Sequence, residues 1–165
     1  QHLRTRHARV AVLDVDVHHG NGTQGIFYER ADVLTVSIHA DPDYYYPYFW
    51  GHAHETGQGA GAGFNLNLPL PLGSADAPWL AAGDTALARV KAFAPTALVV
   101  ALGLDASESD PLQGLKVTGP GLRAMAARIA QLGLPTVLVQ EGGYLGDDLG
   151  RNLVQFLAGF EKGRH

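Results

Sequence analysis

Residues 9–17 read RVAVLDVDV, and residues 18–22 continue HHGNG. Four successive apolar residues from Val10 describe a strand buried on both faces. Asp14 and Asp16 turn it acidic at its end, and Gly20-Asn21-Gly22 breaks it. Working outward, TQGIFYERA (23–31) predicts a short helix and VLTVSIHA (33–40) a second strand. The Ala- and Leu-rich segment 77–94 has Pro78 near its start, where helices accept proline. TALVVALGL (96–104) is a third strand, and GPGLRAMAARIAQLG (119–133) is an amphipathic helix stopped by Gly133. PTVLVQE (135–141) is a fourth strand, and the helix 147–162 has Asp147 or Asp148 as its expected cap. Residues 41–73 and 105–118 lack a sustained period and are expected to be loops, the first long and ordered. Strands alternating with helices predict an α/β fold: a parallel sheet with helices on both faces.

Composition narrows the function. The 165 residues suit one domain with a sizeable core, and 46% hydrophobic with 17% charged residues describe a globular chain. No apolar run approaches the roughly 18 residues of a membrane span. A net charge of −4 leaves no electrostatic footprint for nucleic acid. The absence of cysteine excludes disulfides, Fe–S clusters, cysteine zinc sites and thiol catalysis. The expectation is a cytoplasmic protein that binds neither nucleic acid nor membrane.

In a parallel sheet, sites gather at the carboxyl ends of the strands. Asp14, Asp16 and His18 alternate there, so period-two geometry sends them to one face. Three such groups together are costly without a cation or hydrogen-bond partners. Carboxylates with imidazole suit Zn²⁺, and also Fe²⁺ or Co²⁺. The competing reading makes the aspartates turn caps and His18 a core residue. Asp105 ends the third strand, with Glu108 and Asp110 expected to be solvated or bonded to loop amides. Tyr144 follows Gly142-Gly143 after the fourth, free to project into a site or merely to pack.

Seven of the eight histidines lie in the first 54 residues. His2 and His7 are expected on the surface, His39 behind the site, and His52 and His54 in a loop network with Glu55 rather than a metal site. Tyr44, Tyr45, Tyr46, Tyr48, Phe49 and Trp50 read either as a minicore or as walls for an alkyl chain or alkylammonium head.

LDVDVHHGNGTQGIFY, VSIHADP, LGLDASESDP and QEGGY resemble the zinc-dependent histone deacetylase superfamily. The stretch HADPDYYYPYFWGHAHETGQGAGAGFNLNLPLP is similar to its acetylpolyamine amidohydrolase branch. The resemblance runs from about residue 8 to the end. It implies Zn²⁺ on Asp16, His18 and Asp105, with Tyr144 supporting the tetrahedral intermediate. It also implies a structural K⁺ held by Asp14, the Ser37 hydroxyl and main-chain oxygens of Asp16, His18 and Ile38. Asp14 and Asn21 fall where the family places partners of catalytic histidines. Tyr46, Leu112 and Gly143 fall along the substrate tunnel.

The implied reaction is hydrolysis of an N-acetyl amide, of a small cationic amine or an acetyl-lysine peptide. The family's histidine base belongs to a His-His pair upstream of the D-x-D-x-H strand, and His18-His19 is not that pair. The expectation is therefore that 1–165 is the C-terminal part of a single deacetylase domain, incomplete at the N-terminus and weak alone. The whole protein is expected to dimerise. A non-catalytic metal-binding module and an arginase-like dinuclear hydrolase stand as alternatives.

Overall fold

The computed structural model describes residues 2–164. After a 3₁₀ turn at His2–Thr5 come β1 (Val10–Asp14), α1 (Asn21–Phe27), β2 (Val33–Ala40), β3 (Asn65–Leu70), α2 (Asp76–Phe93), β4 (Ala97–Leu102), α3 (Gly119–Ala130), β5 (Thr136–Gln140) and α4 (Leu149–Lys162). The five strands form one parallel sheet in the order β3-β2-β1-β4-β5. The α/β architecture is the expected one. The fifth strand is a correction, because β3 lies inside the segment 41–73 read as loop. Its sequence, NLNLPL, alternates Asn with Leu and contains a proline, which an edge strand tolerates. Asn65 and Asn67 are buried on one face of the sheet, while Leu66, Leu68 and Leu70 pack against the apolar core on the other.

The two faces of the sheet differ. Leu13, Leu34, Val36, Ile38, Leu98, Val100 and Leu102 share one face and are buried with Trp79, Val90, Leu122, Met125 and Ile129 of α2 and α3. Each such side chain contributes about 1.5–3 kcal/mol of burial free energy, so this face holds the fold together. α4 packs along α3 on the same side. The opposite face carries Val12, Asp14, Thr35, Ser37, His39, Asn65 and Asn67, and α1 covers it with Thr23, Gln24 and Phe27. Helices thus lie on both faces, but the second face is polar over β2 and β3, not apolar as expected. Over β5 it leaves Val137 and Val139 exposed.

The helix ends follow local chemistry. Thr118 caps α3 by accepting from Gly121 N–H, and its hydroxyl donates to Asp76 at the start of α2. Asp148 sits before α4, yet its carboxylate pairs with Arg151 and makes no capping bond, which corrects the expected aspartate cap. His7 lies at the surface, partly covered, with Nδ1 3.1 Å from Thr96 Oγ1. Among the described residues, no helix is long and apolar enough to cross a membrane.

Candidate metal centre

Chain order reverses beside β1. The chain runs from β1 outward through β2 and β3, then returns to lay β4 on the other flank of β1. The crevice at such a reversal, beyond the carboxyl ends of β1 and β4, is where ligands bind in open parallel sheets. The segment after β1 and the one after β4 both feed it. β1 ends at Asp14, but Val15 N–H still donates to Ala101 O, and Val17 O still accepts from Ala40 N–H. The chain therefore stays extended between its neighbours, with Val15 and Val17 fully buried.

Asp16, His18 and Asp105 meet there, one ligand atom from each lying within 4.8 Å of the others. His18 Nδ1 stands 3.0 Å from Asp16 Oδ1 and 3.2 Å from Asp105 Oδ2. Its aligned hydrogen bond goes to Asp16. Asp105 Oδ2 is fully buried and accepts no hydrogen bond. A buried, unpartnered carboxylate oxygen converging with a second carboxylate and an imidazole is a donor set that fits a divalent cation. The other oxygens are held in place. Val17 N–H donates to Asp105 Oδ1, His18 N–H to Asp16 Oδ1, and Gly142 N–H to Asp16 Oδ2.

The electrostatics mark the same crevice. Desolvation pushes Asp14 up to about 8, helped by the charges of Asp16, Glu141 and Asp105. Burial likewise raises Asp105, and Asp16 adds to it. Burial alone would lower His18, but the Asp105 and Asp16 carboxylates override it and hold the imidazole up at about 9. The protein concentrates negative charge here, and a cation relieves it. A cavity of about 230 Å³ opens onto Asp14, Asp16, His18 and Glu141.

The remaining predicted residues are distributed around this centre. Asp14 and Ser37 are register partners on β1 and β2. Asp14 Oδ1 accepts from Asp16 N–H, and Ser37 Oγ is 2.8 Å from His39 Nδ1. Ile38 is buried with its side chain on the opposite, apolar face. Asn21 opens α1, and its side chain makes no hydrogen bond among the described residues. Tyr144 is exposed, its N–H donating to Asp110 Oδ2. Burial and the carboxylates of Asp105, Asp16 and Asp110 raise its phenol. Asp110 bonds the amides of Leu112 and Tyr144, while Glu108 is exposed. Gly143 adopts φ 125°, a conformation that favours glycine, beside Leu104 and Leu149. Leu112 is exposed.

The aromatic run does not form a minicore. Tyr44, Tyr46, Tyr48, Phe49 and Trp50 are all exposed. Tyr45, not singled out from the sequence, stacks on His18 with ring centroids 5.2 Å apart, and Tyr46 meets the same ring edge-on at 5.9 Å. Tyr45 donates its hydroxyl to Leu112 O, and burial pushes its phenol up to about 12. Three consecutive tyrosines carry no signal for which one faces the site. The expected network of His52 and His54 with Glu55 is corrected: the two rings stack on each other at 5.5 Å, and the Glu55 carboxylate accepts from Gln24, Gly51 N–H and Asn67 instead. The Glu55 partners Gln24, Asn65 and Asn67 were missed, because they come from elements far apart in sequence.

The histone deacetylase domain model matches residues 1–160. The chain is 52% identical over 153 residues to acetylpolyamine amidohydrolase 1 of Pseudomonas aeruginosa, covering 93% of this chain and 44% of that protein. The crystal structure of the acetylpolyamine aminohydrolase from Burkholderia pseudomallei superposes with a TM-score of 0.95 at 51% identity, over 97% of this chain and 47% of that one. The structure of the histone deacetylase Clr3 superposes at 0.88 with 29% identity, covering 97% and 28%. The chain spans less than half the length of these relatives. The family model covers nearly all of the chain, and the chain belongs to the histone deacetylase domain family.

Proposed function

We propose that the chain carries the metal half of a zinc-dependent amidohydrolase acting on small cationic N-acetylated amines. The observation that carries this reading is the convergence of Asp16, His18 and Asp105, with a buried Asp105 oxygen that accepts no hydrogen bond. The names of the relatives, acetylpolyamine amidohydrolases, point to the same substrate class. Zn²⁺ is the first candidate for the site, with Fe²⁺ or Co²⁺ as substitutes. Bound there, such a cation would supply polarisation of an acyl carbonyl and acidification of water.

The chain's own residues do the rest. Tyr144 stands beyond the glycine turn as a hydrogen-bond donor for the oxyanion that develops on the carbonyl. Asp14 orients the ligand loop by accepting from Asp16 N–H, and with Ser37 and main-chain oxygens of Asp16, His18 and Ile38 it forms the proposed K⁺ site. Tyr45 and Tyr46 flank the approach to His18 and suit an alkylammonium chain. The proton acceptor comes from the part of the family domain that this chain does not span, with Asp14 and Asn21 as partners of its histidines. That need separates metal binding from turnover. The same reading places the whole protein in the cytoplasm as a homodimer.

Metal binding without turnover is the second reading. It is favoured by the engagement of the buried imidazoles: His19 with Gln24, and His39 with Ser37 and Gly51. Calorimetric zinc titration tests the common part. One equivalent is expected for the wild type and none for Asp16→Ala or His18→Ala; zinc binding that survives both substitutions overturns the site. Hydrolysis of N-acetylputrescine by a protein that spans the whole family domain, and its loss in Asp105→Ala, separates the two readings.

A further inference from the structure

From Tyr44 to Glu55 the loop contains neither helix nor strand, yet it delivers Tyr45 and Tyr46 to the ring of His18. A buried polar hub beneath it explains how. Glu55 Oε2 accepts from Gln24 Nε2 at 2.7 Å, from Gly51 N–H at 2.9 Å and from Asn67 Nδ2 at 3.3 Å. Gln24 Oε1 accepts from Asn65 and Asn67 Nδ2, and it lies 2.9 Å from His19 Nε2. Asn65 also donates to Glu55 O, and Asn67 to His52 O. His19, Gln24, Asn65 and Asn67 are all buried.

The polarity of this hub runs in one direction. A carboxylate only accepts, so Glu55 forces the amide nitrogen of Gln24 toward the loop. The Gln24 oxygen must then face His19 and the two asparagines, which makes His19 Nε2 a donor. The orientation of the residue beside the ligand His18 is thereby tied to a residue of the loop. Gly51 completes the seat. A Cβ there would fall 2.8 Å from both His19 Cγ and His39 Nε2, and its φ of 114° favours glycine, so bare backbone rests on the two rings.

We infer that Gln24 and Glu55 are positioning residues, a latch that fastens the aromatic loop to α1 and β3 so that Tyr45 and Tyr46 are held against His18. The part of the inference that concerns substrate approach rests on the proposed amidohydrolase reading. The latch itself does not.

Gln24→Glu breaks it, by removing the donor and setting a second carboxylate against Glu55. Adding Glu55→Gln restores one carboxylate and one amide with their roles exchanged. Acrylamide quenching reads the loop directly: Trp79 is 0% exposed and silent, while Trp50, 45% exposed, packs over Gly25 of α1. Gln24→Glu is expected to raise the quenching constant about two-fold as the loop opens locally, with far-UV dichroism unchanged. The Gln24→Glu/Glu55→Gln pair is expected to return it to the wild-type value. Should Gln24→Glu fail to fold, Glu55→Ala at a half-exposed position carries the same expectation. Wild-type quenching in the broken latch, or no recovery in the exchanged pair, overturns the inference. Asp16→Ala is expected to abolish zinc binding and leave quenching as in the wild type. Failure of the metal reading would therefore show in the zinc titration alone.

Discussion

Gly142→Ala is a sharp perturbation of the metal centre, because this glycine sits between the two carboxylates. Its N–H donates to Asp16 Oδ2 and its carbonyl accepts from Leu104 N–H. A Cβ on it would fall 2.6 Å from the Asp105 carboxyl carbon, and closer still to Oδ2 of both Asp105 and Asp16. Ordinary contact begins near 3.4 Å, so the carboxylates would have to retreat by about 1 Å, several times the ~0.2 Å tolerance of metal–ligand distances. The Asp105 oxygen that would bind the cation is among those displaced. Loss of a residue that merely supports a ligand costs 10- to 100-fold in affinity, roughly 1.4–2.7 kcal/mol, and direct displacement should cost at least the upper figure. Overpacking should also lower stability, by about 1–3 kcal/mol, leaving the protein folded at 25 °C. Competition against a fluorescent zinc chelator at neutral pH measures the affinity, and far-UV dichroism checks the fold. Gly22→Ala is the control: nothing lies within 4 Å of its Cβ position, and alanine favours α1. A folded Gly142→Ala protein that binds zinc as the wild type does would show that Asp16 and Asp105 do not hold the ion together.

Thr118→Ala removes the cap of α3 and its bond to Asp76, and should cost about 1–2 kcal/mol in urea unfolding with no change in zinc affinity. Leu122→Ala, at a fully buried position between α3 and the sheet, should cost about 2–5 kcal/mol in the same measurement. Asp32→Asn tests the ties between the N-terminal turn and β2. The Arg30 hydrogen bonds, then that of Arg4, hold the Asp32 carboxyl well below its usual range. A depressed folded-state value means stabilisation that is present above the ordinary 3.8 and is lost as the pH falls toward the folded-state value. For so exposed a group the difference from wild type should be about 0.5–1 kcal/mol at neutral pH. It should shrink in thermal scans taken below 3.8.

The sheet and the metal ligands were legible for different reasons. Strands such as β1 and β4 are short apolar runs between turn signals, a pattern that composition alone separates from the helices around them. Asp16 and His18 were legible from their alternation at a strand end, and parallel strands ending on the same side allowed Asp105 to join them; the resemblance to the deacetylase family is what singled out the three together. β3 was not, because NLNLPL spends its alternation on asparagines whose burial makes sense only once Gln24 and Glu55 lie above them. An asparagine in isolation predicts a turn. The same asparagine facing a glutamine amide predicts a strand, and only the folded chain supplies that partner. Tyr45 fails for a related reason: hydrophobic pattern distinguishes buried from exposed positions, but Tyr44, Tyr45 and Tyr46 are the same residue type, and the loop has no period. Which tyrosine meets His18 is decided by where the hub pins Gly51 and Glu55, several residues later. Function placed on a loop is therefore read through its anchors. The polar residues that look costly in a sheet face, Asn65 and Asn67 above all, are where to look for them.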